Sequence, residues 1–356
     1  MKVKAIAILL LLVYLSNAYA AHLERLFYLT ADIADSSLSK EQLQQIKSHA
    51  KSIDILAPQI YQLDENGIIW GYLDPRVLTF SRENKIKIMP LITNSDFNQE
   101  KLHQFLQNTG AQERAIVEMV SLCKQYHFYG LQFDFENIHL NDKDAFSHFF
   151  QAAADRLHHN GFILSVAIIP HPTEVLNSTY DRWLFENWSG AYDYSLLGQN
   201  ADFISLMSYD KHTSLTTPGP ISASNWVEET IKNLLKVVPA EKISLGIPTY
   251  SGYWYTGESG QLIPEKYSYR SKITQISYSK VLSLLNEFQL TLLWQNQWKS
   301  SYVMYANHYK NEYLFVEDAK SFRAKLDLAR HYQLRGISVW KLGLEDPEIW
   351  KVIHPD

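Results

Sequence analysis

Tyr129-Gly130-Leu131-Gln132-Phe133-Asp134-Phe135-Glu136 is a short apolar run with a polar residue at every second position from Gln132 onward. In a β-strand alternate side chains leave the same face, so Gln132, Asp134 and Glu136 project together while Leu131, Phe133 and Phe135 pack on the other side. Two carboxylates and an amide then share one small site. Like charges two residues apart on an apolar strand cost stability, and the cost is tolerated where the raised pKa of one member is useful. A general acid has that requirement.

Seven further strand-like runs flank this one: Leu26–Thr30, Ser52–Ile60, Lys87–Ile92, Phe162–Ile169, Phe203–Ser208, Ile243–Pro248 and Gly336–Trp340. Amphipathic stretches lie between them. Phe146, Phe149, Phe150, Ala153 and Leu157 recur at helical spacing before an Asn160-Gly161 stop, and Ala319, Phe322, Leu326 and Ala329 mark a helix ahead of the last strand. Alternating strands and helices, with strands apolar enough to be covered on both faces, predict a parallel sheet. Eight repeats predict an α/β fold closed as a (β/α)8 barrel. The spacing breaks once, at about 251–312, where the aromatic-rich run Tyr302–Tyr313 reads as short strands. A small α+β insertion after the seventh strand is expected there, on the face where such barrels carry their sites.

The chain starts Met1-Lys2-Val3-Lys4, continues through the apolar run Ala5–Leu15 and reaches Ser16-Asn17-Ala18-Tyr19-Ala20. This reads as a secretory signal peptide cut after Ala20, because the apolar run is too short to span a bilayer as an anchor. The expected division is 1–20 leader and 21–356 barrel, with a secreted or periplasmic product and no membrane anchor. Without Lys2 and Lys4 the chain keeps 31 basic residues against 38 acidic ones. That balance argues against nucleic acid or anionic membrane as partner. Cys123 is the single cysteine. No intramolecular disulfide can form, so stability rests on packing.

The eight-residue run resembles the catalytic signature of glycoside hydrolase family 18, Asp-Gly-x-x-Asp-x-Asp-x-Glu at the end of the fourth barrel strand. Gly130, Asp134 and Glu136 match it; Tyr129 stands in place of the leading Asp, and Gln132 in place of the first Asp of the Asp-x-Asp-x-Glu core. Met207-Ser208-Tyr209-Asp210 is similar to the family's sixth strand end, Gly246-Ile247-Pro248-Thr249-Tyr250 to the seventh and Gly336-Ile337-Ser338-Val339-Trp340 to the eighth. The resemblance covers nearly all of the chain after the leader. Leu342-Gly343-Leu344-Glu345-Asp346-Pro347 and Val316-Glu317-Asp318-Ala319 look like the bacterial spore-cortex and peptidoglycan branch.

The resemblance implies Glu136 as proton donor, with no protein nucleophile, because the substrate's acetamido oxygen attacks the anomeric carbon. It implies that Asp134 holds the acetamido N–H, that Tyr209 orients the acetamido carbonyl, that Asp210 contacts the same sugar and that Trp340 floors it. Met207, Tyr250, Asn94 and Tyr28 fall at or near strand ends and are candidate substrate contacts. Gln132 is expected to hydrogen-bond Asp134 without being able to take its proton, shifting the pH optimum or slowing the rate. Trp70, after the Asn66-Gly67 turn, and Trp254, Trp294 and Trp298 in the insertion are candidate stacking residues. The thirteen histidines lack zinc-ligand spacing, so no metal is expected. No cofactor is expected either. The implied partner is an N-acetylglucosamine-containing oligo- or polysaccharide, chitin-like or peptidoglycan-derived, handled by a monomer. The rival reading is a non-hydrolytic chitin-binding barrel, which retention of Glu136 opposes and the Gln132 and Tyr129 departures keep open.

Overall fold

The structure, a computed structural model, describes residues 23–30, 44, 46–172, 179–255, 272–307 and 310–353. The expected leader, 1–20, lies outside the described residues. Eight parallel strands close a barrel: β1 (Glu24–Thr30), β2 (Ile55–Leu63), β3 (Leu91–Asn94), β4 (Gly130–Asp134), β5 (Ile163–Ile168), β6 (Ile204–Leu206), β7 (Ile243–Pro248) and β8 (Gly336–Trp340). Leu26 pairs with Ile55 on one side and Ser338 on the other, which joins the last strand to the first. The fold is the (β/α)8 class expected from the sequence.

The third strand departs from expectation. Lys87–Ile88 pairs with β2, the ladder stops at Met89-Pro90, and pairing resumes in β3. Pro90 has no N–H to give; its carbonyl instead accepts the Gln132 N–H at 3.0 Å.

The two faces of β4 separate as the alternation requires. Phe133 stacks on Phe135 at 4.8 Å, and both meet Phe149 of the helix Lys143–His159, at 5.6 and 6.3 Å. Burying each of these rings stabilises the fold by roughly 1.5–3 kcal/mol, which anchors β4 from outside. Inside, the barrel is layered. An apolar plug contains Leu26, Tyr28, Ile55, Ala57, Met89, Leu91 and Phe203. A polar layer of Gln132, Ser165, Ser205, Ser244 and Ser338 follows, every member at most 3% exposed. Asp134 and Glu136 stand towards the C-terminal end of the strands.

Two additions shape that end. A hairpin strand, Ile69–Gly71, runs antiparallel to Tyr61–Leu63. Its turn is fixed by the Arg114 guanidinium donating to the Asn66 carbonyl at 2.7 Å and by Gly67, whose φ of +79° and closeness to the Ala111 carbonyl leave no room for a side chain. After β7 comes an antiparallel five-stranded sheet in the order Lys272–Ile276, Ser251–Tyr255, Lys310–Val316, Ser300–Asn307, Leu293–Gln295. The helix Tyr278–Glu287 packs Val281 and Leu284 against its Ile276, Val303 and Leu314. Trp254 is 0% exposed in this sheet, so it cannot serve as a stacking platform. Trp298 packs on Tyr302 and Phe315, and Lys320 Nζ lies 3.7 Å above the Trp294 ring.

Candidate active site

Glu136 lies two residues beyond the end of β4, and its main chain is held from β3. Asn94 accepts the Glu136 N–H at 3.0 Å and donates Nδ2 to the Glu136 carbonyl at 3.0 Å. This amide-to-backbone clamp fixes where the carboxyl begins. It also occupies Asn94, which is 2% exposed, so Asn94 supports Glu136 and is not a free sugar contact. Tyr192 donates its hydroxyl to the Phe135 carbonyl at 2.7 Å, a second brace that the sequence did not reveal. Asn137 follows in the left-handed region at φ 56°, turning the chain away just after the carboxyl.

Asp134 is 2% exposed. Its Oδ2 accepts from Gln59 Nε2 at 3.2 Å, and its Oδ1 is buried without a protein partner among the described residues. The expected Gln132–Asp134 hydrogen bond is not formed. Gln132 Oε1 accepts the Tyr28 hydroxyl at 2.7 Å, while Nε2 donates to Ser165 at 2.9 Å and Ser205 at 3.0 Å. Ser205 continues to Ser338 at 2.8 Å, and Ser338 to Ser244 at 2.6 Å. Gln132 is therefore the hub of a sealed neutral network, and Tyr28 is occupied by it. Buried polar groups are stable only when partnered in this way.

Tyr209 and Asp210 lie beyond β6. A Cβ on Gly246 of β7 would sit 3.0 Å from Tyr209 Cε1 and 2.4 Å from the Leu206 carbonyl, so the glycine leaves the space that the tyrosine ring fills. Asp210 is exposed at the mouth, at φ 57°, and its Oδ1 accepts the Tyr250 hydroxyl at 2.6 Å. Tyr250 is fully buried and meets Tyr209 edge-on at 6.4 Å. Trp340, at the end of β8, tilts against Tyr28 at 5.2 Å, and Met207 is 9% exposed beside the β6 end. The structure thus brings Asp134, Glu136, Tyr209, Asp210, Tyr250 and Trp340 to one end of the barrel. Gln59 is the contact that sequence reading passed over; an amide following inward Ile55 and Ala57 at alternate positions was the available signal.

The electrostatics follow from burial. Burial raises the Glu136 carboxyl well above the usual carboxylate range, and the charges of Asp134 and then Asp210 add to it. Asp134 is pushed up to about 6 by burial, with the Gln59 amide opposing. The Tyr209 hydroxyl is also driven well up by burial, then by Tyr28 and the carboxylates, so it stays a donor. Two neighbouring carboxyls, with Glu136 raised further by the charge of Asp134, form the kind of pair in which one can give a proton to a leaving group while the other stabilises positive charge. Among the described residues no three His, Cys, Asp or Glu side chains are grouped to hold a metal ion.

The sequence pattern described as Glycosyl hydrolases family 18 matches residues 35–345. The chain belongs to glycosyl hydrolase family 18. It is accordingly a glycoside hydrolase. Among its family 18 relatives, Bacillus subtilis (strain 168) "Uncharacterized glycosylase YvbX" is 27% identical over 98% of this chain and 96% of its own length. The Bacillus subtilis (strain 168) "Cortical fragment-lytic enzyme" is 26% identical over 88% of this chain and 70% of its own. The fold matches the Bacillus megaterium QM B1551 spore cortex-lytic enzyme SleL at a TM-score of 0.79, with 24% identity over 93% of this chain and 73% of that one. A Chromobacterium violaceum chitinase matches at 0.78, with 24% identity over 93% and 98%. Both solved structures share the barrel fold with this chain.

Proposed function

We propose that this glycoside hydrolase is exported and cleaves β-linked N-acetylglucosamine glycans, chitin oligomers or peptidoglycan, with retention by substrate-assisted catalysis. The carrying observation is the Asp134 and Glu136 pair: Asp134 buried at the end of β4 with an Oδ1 that has no protein partner among the described residues, and Glu136 half-buried two residues on, its carboxyl held well up by its surroundings. Protonated Glu136 gives its proton to the glycosidic oxygen as the bond to the anomeric carbon breaks. The substrate's acetamido oxygen forms the new bond to that carbon from the opposite face, and Asp134 accepts the acetamido N–H and offsets the positive charge that develops. The Tyr209 hydroxyl donates to the acetamido oxygen and fixes its line of attack. Glu136, now ionised, takes a proton from water as the water opens the cyclic intermediate, so configuration is retained. Trp340 and the Tyr250–Asp210 pair define the cradle for that sugar.

The relatives' names favour a cortex or chitin polymer, both of which carry the 2-acetamido group this mechanism needs. Hydrolysis of a fluorogenic di-N-acetylchitobioside, its loss in Glu136→Gln, and product masses from chitin oligomers and peptidoglycan fragments test the reading. Tight oligomer binding without turnover would instead favour the lectin-like alternative. Intact products from both glycans alongside cleavage of an asparagine-linked glycan core would overturn the substrate class.

A further inference from the structure

The two oxygens of Asp134 stand in different circumstances: Oδ2 is held by Gln59, and Oδ1 is buried and unpartnered among the described residues. Gln132, directly below on the same strand face, contributes nothing to Asp134 because its oxygen and nitrogen are taken by Tyr28, Ser165 and Ser205. Gln59 reaches Asp134 through an irregularity of β2. It pairs with Leu91, which in turn pairs with Gln132, so its backbone lies two residues below Asp134. The register then slips between Gln59 and Tyr61, and Gln62 becomes the residue level with Thr93 and Asp134. A bulge of this kind re-aims a neighbouring side chain.

We propose, on the glycosidase reading above, that Gln59 is the positioning residue of Asp134, holding Oδ2 so that Oδ1 is presented to the N–H of the substrate's 2-acetamido group. The amide nitrogen donates and has no lone pair to take a proton. Gln132 cannot take one either, so among the described residues Asp134 has no proton acceptor below it or on the β2 side. Among the described residues, the ionisable groups that act on or are acted on by Asp134 are then Glu136, two residues on and itself facing Asp210, and the Tyr28, Tyr192 and Tyr209 hydroxyls, each of which burial keeps protonated. Proton exchange by Asp134 is confined to the rim carboxyls. Gln59 also favours the ionised form of Asp134, so its removal moves Asp134 upward.

The test uses the whole chain with Gln59→Leu and the near-isosteric Gln59→Glu. Gln59→Leu is expected to lower kcat about tenfold or more with KM held within about threefold, the signature of an interaction needed in the transition state. The acid limb of kcat/KM should rise by about one pH unit, the equivalent of a tenfold change in proton affinity. In Gln59→Glu the O–H of the protonated introduced carboxyl can still hold Asp134, so kcat recovers at low pH and falls as that carboxyl ionises, which adds one proton to the alkaline limb and leaves the acid limb at one. Carbon-13 titration of the Asp134 carboxyl without substrate gives a readout independent of turnover, and its midpoint should rise in Gln59→Leu. A midpoint within about 0.3 pH unit and a kcat within about twofold of wild type in Gln59→Leu, or an alkaline limb in Gln59→Glu unchanged from wild type, overturns the proposal. Should wild type cleave no glycan, the glycosidase reading fails, and an unmoved carboxyl midpoint separately overturns the Gln59 assignment.

Discussion

Asp134 and Glu136 differ in what surrounds them more than in what they are, and at the scale of the residue that difference sets the pH behaviour. On the proposed mechanism, turnover needs Asp134 ionised and Glu136 protonated. With Asp134 at about 6 and Glu136 driven well up, kcat/KM should be bell-shaped, its acid limb near pH 6 and its alkaline limb above it. A flat profile from pH 5 to 8 would contradict this. Glu136→Gln should reduce kcat by about 10²–10⁴ with little change in KM, measured on a chitobioside substrate. The same substitution should stabilise the fold at alkaline pH. A carboxyl raised on folding binds more protons in the folded state; its penalty is full above the folded pKa and fades as pH falls below it. The melting temperature of Glu136→Gln should therefore exceed wild type at pH 8 and converge with it by pH 4. Alternation in the sequence was enough to place Gln132, Asp134 and Glu136 on one face. It could not show that Asp134 bonds Gln59, 75 residues away, because that contact depends on a bulge that sequence periodicity does not encode.

At the scale of the element, strands and helices with a strict period were legible, and interruptions were not. Pro90 splits the third strand because it lacks a donor, although the apolar run around it is continuous. Trp254 looked like a platform because exposure cannot be read from residue type; pairing on both edges of its strand buries it. Trp70 fares differently. It pairs with Gln62, Gln62 with Thr93, and Thr93 with Asp134, so one row of paired residues links the hairpin to the site across three strand spacings, about 14 Å. Paired residues share a sheet face. Ile69 packs into the core, whereas Trp70 and, two residues on, Tyr72 are 44% and 50% exposed. On the proposed function, with the turn pinned by Arg114, the exposed Trp70 ring is a stacking surface for sugars distant from the cleaved bond. Trp70→Ala should lower the ratio of kcat/KM for a hexamer over that for a dimer by about tenfold, a loss of ~1.4 kcal/mol. Equal effects on both chain lengths would remove Trp70 from the glycan path.

For the whole molecule, closure of the barrel by β1 and β8 leaves one large addition to be fixed in place, the sheet that follows β7. Its last strand ends at Val316, and the next residue, Glu317, is buried against Lys325 of the helix Ala319–His331 that leads into β8. Lys325 Nζ donates to Glu317 Oε2 at 2.7 Å, Ser321 donates to the same oxygen at 2.8 Å, and the Glu317 N–H donates to Ser251 Oγ at 3.1 Å at the start of the sheet. The side chains of the ion pair are 0% and 3% exposed. Burial raises the Glu317 carboxyl, and the ammonium works against that shift. Desolvation cancels much of the attraction in such a pair, so its presence adds little; removing one partner is costly because the other charge stays buried. Lys325→Met should thus destabilise the protein by about 3–5 kcal/mol in urea unfolding. The loss should be larger at pH 8 than at pH 5, since Glu317 without its ammonium can protonate as pH falls and become neutral. Adding Glu317→Leu to Lys325→Met should recover most of the loss, because two apolar side chains leave no charge uncompensated. A loss below about 1 kcal/mol, or one equal at both pH values, would show that the sheet is held by its apolar contacts and not by this pair.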